Sequence, residues 1–119
     1  MEEKANQLSE RLLDYGVGIV KLTMRLGKTS TGKHIANQLL RAGTSVGSNY
    51  EEACGAESMA DFVHKLQIVL KEIRESLYWL RLIQKSEILK EQCLGKVINE
   101  TNQISNIIAK SIITAKKCK

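Results

Sequence analysis

The chain contains no proline, 4 % aromatic residues and two histidines in 119 residues. Without proline nothing forces a long helix to break, and the eight glycines fall mainly in two clusters, which disfavours a sandwich built on many turns. No apolar run approaches the roughly 18 to 20 residues that cross a bilayer. The opening stretch, MEEKANQLSER, is charged and lacks the apolar centre of a signal peptide. A cytoplasmic protein with no membrane partner is expected. The three cysteines, Cys54, Cys93 and Cys118, form no CxxC pair, which points to reduced structural thiols rather than zinc or a redox dithiol.

What is present is aliphatic. Hydrophobic residues make up 43 % of the chain, enough to give residues 1–119 one core and one domain. The formal net charge of +5 favours anionic partners, with nucleic acid the usual one. Basic and acidic residues are interleaved, and only Lys116, Lys117 and Lys119 form a cluster, so an ordinary solvated surface competes with a binding footprint.

Hydrophobic spacing predicts four helices. The first, about Lys4 to Leu26, carries Leu8, Leu12, Tyr15, Ile19, Leu22 and Leu26 on one stripe. A second stripe, Leu13, Val17, Val20 and Met24, makes its apolar face wider than a two-helix contact requires. Gly16 and Gly18 mark a place where another backbone would come near. The second helix, about Gly32 to Ala53 with Ser30 or Thr31 as N-cap, is the centre of the fold. Its stripe Ile35, Leu39, Ala42, Val46, Asn49 and Ala53 is thin and includes a polar Asn49, and Gln38, Arg41, Ser45, Ser48 and Glu52 run beside it. The third helix opens at a Ser58 cap, extends to about Lys85 and packs through Met59, Phe62, Val63, Leu66, Leu70, Ile73, Leu77 and Leu80. Tyr78 and Trp79 cannot both face one seam, so one of them is expected against another helix or another subunit. The fourth, about Lys90 to Lys116, is lined by Leu94, Val97, Ile98, Thr101, Ile104, Ile108 and Ile112. Short links give an all-α, antiparallel, up-down-up-down four-helix bundle.

Two chemical readings fail on context. GKTSTGK, Gly27 to Lys33, matches part of a phosphate loop, but His34 replaces the magnesium-binding hydroxyl and a helix, not a strand, precedes it. A carboxylate metal centre of ferritin type would draw on Glu52, Glu72, Glu75 and His64, yet the Glu-x-x-His pairs such sites use are missing. No catalytic residue, metal or cofactor is therefore expected. The seam charges make better sense as structure: Arg41 is expected to pair with Glu72 or Glu75, with Asn49 and Glu52 in the same polar network, fixing helix register.

These residues also carry a resemblance. QLLRAGTSVGSNYEEACGAES followed by DFVHKLQIVLKEIRESLYWLRLI is similar to the four helix bundle protein family, which includes proteins encoded in intervening sequences of bacterial 23S ribosomal RNA genes. The matching positions are Gln38, Leu39, Arg41, Ala42, Ser45, Ser48, Asn49, Glu52, Asp61, Phe62, Lys65, Leu66, Lys71, Glu72, Glu75, Tyr78, Trp79 and Leu80. Tyr50 and Glu51 depart from the aliphatic and basic residues usual there. The resemblance implies a bundle that assembles into a homopentameric ring and a biochemical role that is poorly defined. A distant relative, the accessory protein of diversity-generating retroelements, is a basic pentamer that binds reverse transcriptase and nucleic acid. On that analogy the partners are a second copy of the chain, RNA or DNA, and a nucleoprotein enzyme. Lys21, Arg25, Lys28, Lys33, Lys116, Lys117 and Lys119 are the candidate nucleic-acid contacts, and Tyr78 and Trp79 the candidate oligomer contacts. A protein scaffold without nucleic acid is the first alternative, and a ferritin-like carboxylate metal-binding enzyme around Glu52, Glu72, Glu75 and His64 the weaker one.

Overall fold

The structure, a computed structural model, describes residues 2–118, with the side chains of Glu2, Glu91 and Cys93 outside the description. Four helices follow one another: α1 Glu2–Thr23, α2 Ser30–Cys54, α3 Met59–Ser86 and α4 Glu91–Lys117. The caps explain the boundaries. The Thr29 hydroxyl accepts the Gly32 N–H at 2.9 Å, so α2 starts earlier than Ser30 or Thr31 as caps would place it. Ser58 accepts the Asp61 N–H at 3.1 Å to open α3. Glu87, in the left-handed region at φ 58°, closes α3 by donating its N–H to the Gln84 carbonyl.

Cross-helix contacts fix the directions. Arg41 meets Glu75, whereas Glu52, later in α2, meets Lys65, earlier in α3, so α2 and α3 run antiparallel. Gly43 lies against Ile19, and Gly47, later in α2, lies against Leu12, earlier in α1, so this pair is antiparallel too. At about 1.5 Å per residue α3 alone is about 42 Å long. A molecule of 48 × 22 × 20 Å therefore requires α4 to fold back along it. Consecutive helices pack along their lengths, and α4 closes the ring by a sparser contact with α1.

The core follows the predicted stripes on α1 and α4. Leu12, Tyr15, Ile19, Leu22 and Leu26 are buried, as are Leu94, Thr101, Ile104, Ile108 and Ile112. Two stripes differ. On α2 the core position after Val46 belongs to Tyr50, buried, while Asn49 turns half out and donates to the Ser45 carbonyl at 2.9 Å. The ring buries far more apolar area than an amide, and Asn49 satisfies its donor within its own helix. On α3 the buried set is Leu66, Val69, Ile73, Ser76, Leu80 and Ile83, with Leu70 and Leu77 only half-buried and Met59 exposed. Leu66, Ile73 and Leu80 are common to both patterns. Larger side chains favour Leu70 and Leu77 between them, but burial of Ser76 is made acceptable by a hydrogen bond that no apolar count registers.

The close helix approach lies on α2, not at Gly16 or Gly18. A methyl group on either of those α1 glycines would meet nothing within 4 Å, so their neighbours are open space. At Gly32 a Cβ would sit 2.0 Å from the Leu26 carbonyl oxygen, and at Gly43 one would sit 2.7 Å from Cγ2 of the fully buried Ile19. Gly43→Ala should gain about 1 kcal/mol of helix propensity but cost about 1–3 kcal/mol in overpacking, for a net loss in urea unfolding. In an Ile19→Ala background the same substitution should become neutral or stabilising. An identical effect in both backgrounds would contradict the close contact.

Candidate functional site

The polar seam between α2 and α3 centres on Arg41. Its Nη2 donates to Oε2 of Glu75 and its Nη1 lies 3.6 Å from Oε1 of Glu72. Trp79 Nε1 donates to the same Glu75 oxygen at 3.1 Å, which fixes the indole against the seam. The Trp79 ring in turn meets His34 edge-on at 6.1 Å and Tyr78 edge-on at 5.1 Å. Asn49 and Glu52 stand outside this network, contrary to the single cluster expected. Asn49 lies about 12 Å along the helix from Arg41 and bonds its own backbone, and Glu52 pairs with Lys65 at 3.7 Å. Arg41 remains half exposed, so its pairs specify register more than they stabilise.

A second polar group sits inside the core and was not legible in sequence. Thr101 donates its hydroxyl to the Val97 carbonyl at 2.7 Å, so Tyr15 is the donor in its 2.8 Å bond to Thr101 Oγ1. Ser76 donates to the Glu72 carbonyl at 2.9 Å and sets its hydroxyl oxygen near that of Tyr15. Burial raises the Tyr15 pKa from 10.0 to about 12, with the neighbouring Thr101 and Ser76 hydroxyls opposing the rise. Tyr50 is pushed up in the same direction by burial and by the neighbouring Cys54 thiol. The only signal in the sequence is Tyr15 and Thr101 on the apolar stripes of α1 and α4; Ser76 lies off the α3 stripe expected from hydrophobicity. Among the described residues no buried side-chain nitrogen or oxygen is left without a partner.

Carboxylates and histidines do not converge. Glu72 and Glu75 face Arg41, Glu52 faces Lys65, and His64 is exposed on α3. Among the described residues no three His, Cys, Asp or Glu side chains stand close enough to share an ion. Cys54 and Cys118 are exposed free thiols rather than buried ones. In the Gly27–Lys33 stretch, Gly27–Thr29 end the connection and Ser30–Lys33 form the first turn of α2, with the Gly32 N–H already taken by Thr29. Among the described residues no helix is long and apolar enough to cross a membrane.

The candidate cations separate in space. Lys21, Arg25, Lys28 and Lys33 gather where α1 turns into α2, whereas Lys116 and Lys117 end α4 at the opposite pole, about 40 Å away along a helix of that length. Lys119 lies outside the described residues. Between Asp14 and Glu51 there is no acidic residue, so the first cluster is not neutralised by carboxylates of its own segment. On the side of α1 turned away from α4, Leu13, Val17, Val20 and Met24 are all exposed, Met24 by 79 %. With Gly16 and with Thr44, Gly47 and Ser48 of α2 they line an apolar groove of about 670 Å³. Tyr78 is 59 % exposed on the outside of α3, while Trp79 is half-buried and packs on the core.

The Arg41–Glu75 contact should give a coupling of about 0.5 kcal/mol in a double-mutant cycle of alanine substitutions, read by urea unfolding. Asn49→Ala should add independently to Arg41→Ala. Additivity of Arg41→Ala with Glu75→Ala would remove the pairing from the account.

Comparison with known proteins agrees with this architecture. The 23S rRNA-intervening sequence protein family matches residues 4–110, a span that enters all four helices. No curated protein matches the chain. Among solved structures, the 1.70 Å crystal structure of a protein of unknown function from the S23 ribosomal protein family of Bacteroides thetaiotaomicron is similar at 35 % identity and a TM-score of 0.85. The alignment covers 92 % of this chain and 97 % of that one. The chain belongs to the 23S rRNA-intervening sequence protein family.

Proposed function

We infer that this protein is a non-enzymatic, oligomeric four-helix bundle of the cytoplasm that binds nucleic acid, or a nucleoprotein partner, through its basic surface. The apolar groove of α1 and α2 supports assembly: four aliphatic or thioether side chains on one stripe are left facing water, a patch of the kind that association covers. A second copy of the chain is the occupant, and a closed homopentameric ring is the form the assembly takes. Five copies at +5 each would then carry about +25, a field that raises both the affinity and the encounter rate for a polyanion.

The observation that carries the nucleic-acid reading is the basic pole. Four cations cluster at one end of the bundle, on a segment with no acidic residue between Asp14 and Glu51. Phosphate recognition needs positive charge gathered on one surface more than it needs a pocket. Fluorescence anisotropy with a labelled 20-nucleotide RNA tests it. Affinity should fall about tenfold or more between 50 and 200 mM salt, and Lys21→Gln, Lys28→Gln and Lys33→Gln together should reduce the salt slope. Failure to bind at the lower salt would overturn the nucleic-acid reading and leave a protein scaffold.

A further inference from the structure

We propose that the outer face of α3 is a binding ridge for single-stranded nucleic acid, with Tyr78 as its base-stacking platform. This rests on the nucleic-acid reading above and assigns it a different surface. Along α3, Lys71, Arg74, Tyr78, Arg81 and Lys85 recur at alternating steps of three and four residues, and all five are exposed. They form one straight line on the side of the helix opposite the buried Leu66, Ile73 and Leu80. From Lys71 to Lys85 the line is about 21 Å long.

Three observations separate this face from an ordinary solvated helix surface. The first is sign. On α1 the exposed cations share their helix with exposed Glu3, Glu10 and Asp14, whereas the α3 line carries no carboxylate. Glu72 and Glu75, the acids nearest in sequence, are turned to α2, with side chains 14 % and 30 % exposed, and are held by Arg41. The second is availability. Among the described residues Lys71, Arg74, Arg81 and Lys85 make no ion pair within the chain. The third is the aromatic. Tyr78 stands in the middle of the cations, and its ring is braced edge-on by Trp79, which Glu75 and His34 hold from behind. A fixed, exposed ring between cations suits unpaired bases, which offer a face to stack on, while their phosphates meet the flanking charges. Duplex bases are already stacked and offer no such face. The line holds no aliphatic side chain that would insert into lipid.

The test is anisotropy binding of 20-nucleotide single-stranded RNA, single-stranded DNA and the matching duplex to the full chain. Helicity and mass of each variant are measured in parallel. Tyr78→Ala should weaken either single strand about tenfold and leave the duplex unchanged, and Tyr78→Phe should restore binding. Arg74→Gln with Arg81→Gln should lower the slope of log affinity against log salt by about 1.4, at about 0.7 per phosphate contact. Tighter binding of one single strand would identify the sugar preferred. If the Lys21, Lys28 and Lys33 substitutions abolish binding while the α3 variants bind like wild type, the ridge is wrong and the basic pole stands. Equal losses for duplex and single strand in Tyr78→Ala would also overturn the stacking role. No binding of any oligonucleotide by the wild-type protein would overturn the ridge and the nucleic-acid reading together.

Discussion

The fold depends on how closely α1 and α2 approach. Gly43 leaves room for the Ile19 side chain at a distance that a methyl group would not allow, and Gly32 lets the α2 start pass the Leu26 carbonyl. Small residues on α2 thus draw α1 in along one stripe, Leu12 to Leu26, and bury it. A narrow helix can cover only a narrow stripe. The second apolar row of α1, Leu13 to Met24, is left beyond its edge and lines the groove. Close internal packing and an uncovered outer face are two consequences of one choice of side-chain size.

Polar groups then set register. Tyr15 and Thr101 join α1 to α4 by a hydroxyl bond in the core, and Arg11 clamps α1 to α4 through two 2.7 Å bonds to Glu100. Arg41 does the equivalent for α2 and α3 at the surface. Because a helix seam of aliphatic side chains tolerates sliding, a few directional bonds decide which of several similar registers is occupied. The same seam fixes Glu72 and Glu75 against Arg41, which leaves the outside of α3 positively charged.

How much of this was legible in the sequence varies by element. The α1 stripe was readable because large aliphatic side chains recur there at regular helical spacing. The start of α2 was not, since Thr29, Ser30 and Thr31 are all competent caps and only the folded backbone selects the first. On α3 hydrophobicity alone favours Leu70 and Leu77 where Val69 and Ser76 are buried, because the Ser76 hydroxyl is satisfied by the Glu72 carbonyl of its own helix. The Arg41 pairing was visible from residue type and helix phase, whereas the exclusion of Asn49 depended on a bond to its own backbone. The basic residues could be named but not grouped: topology sends Lys116 and Lys117 to the pole opposite Lys28 and Lys33. The order of Lys71, Arg74, Tyr78, Arg81 and Lys85 along α3 is masked in the sequence by the interleaved acids Glu72 and Glu75, which the fold turns toward Arg41.

We infer that the outer row of α1 is covered by a second copy of the chain. Light scattering on the size-exclusion peak of the wild-type protein and of Val17→Glu tests it most directly, with circular dichroism to verify that the variant stays helical. A wild-type mass near five times 13.3 kDa and a monomeric, helical Val17→Glu are the predicted results. A wild-type monomer, or a variant whose assembly is unchanged, would mean that this row is not the interface between copies.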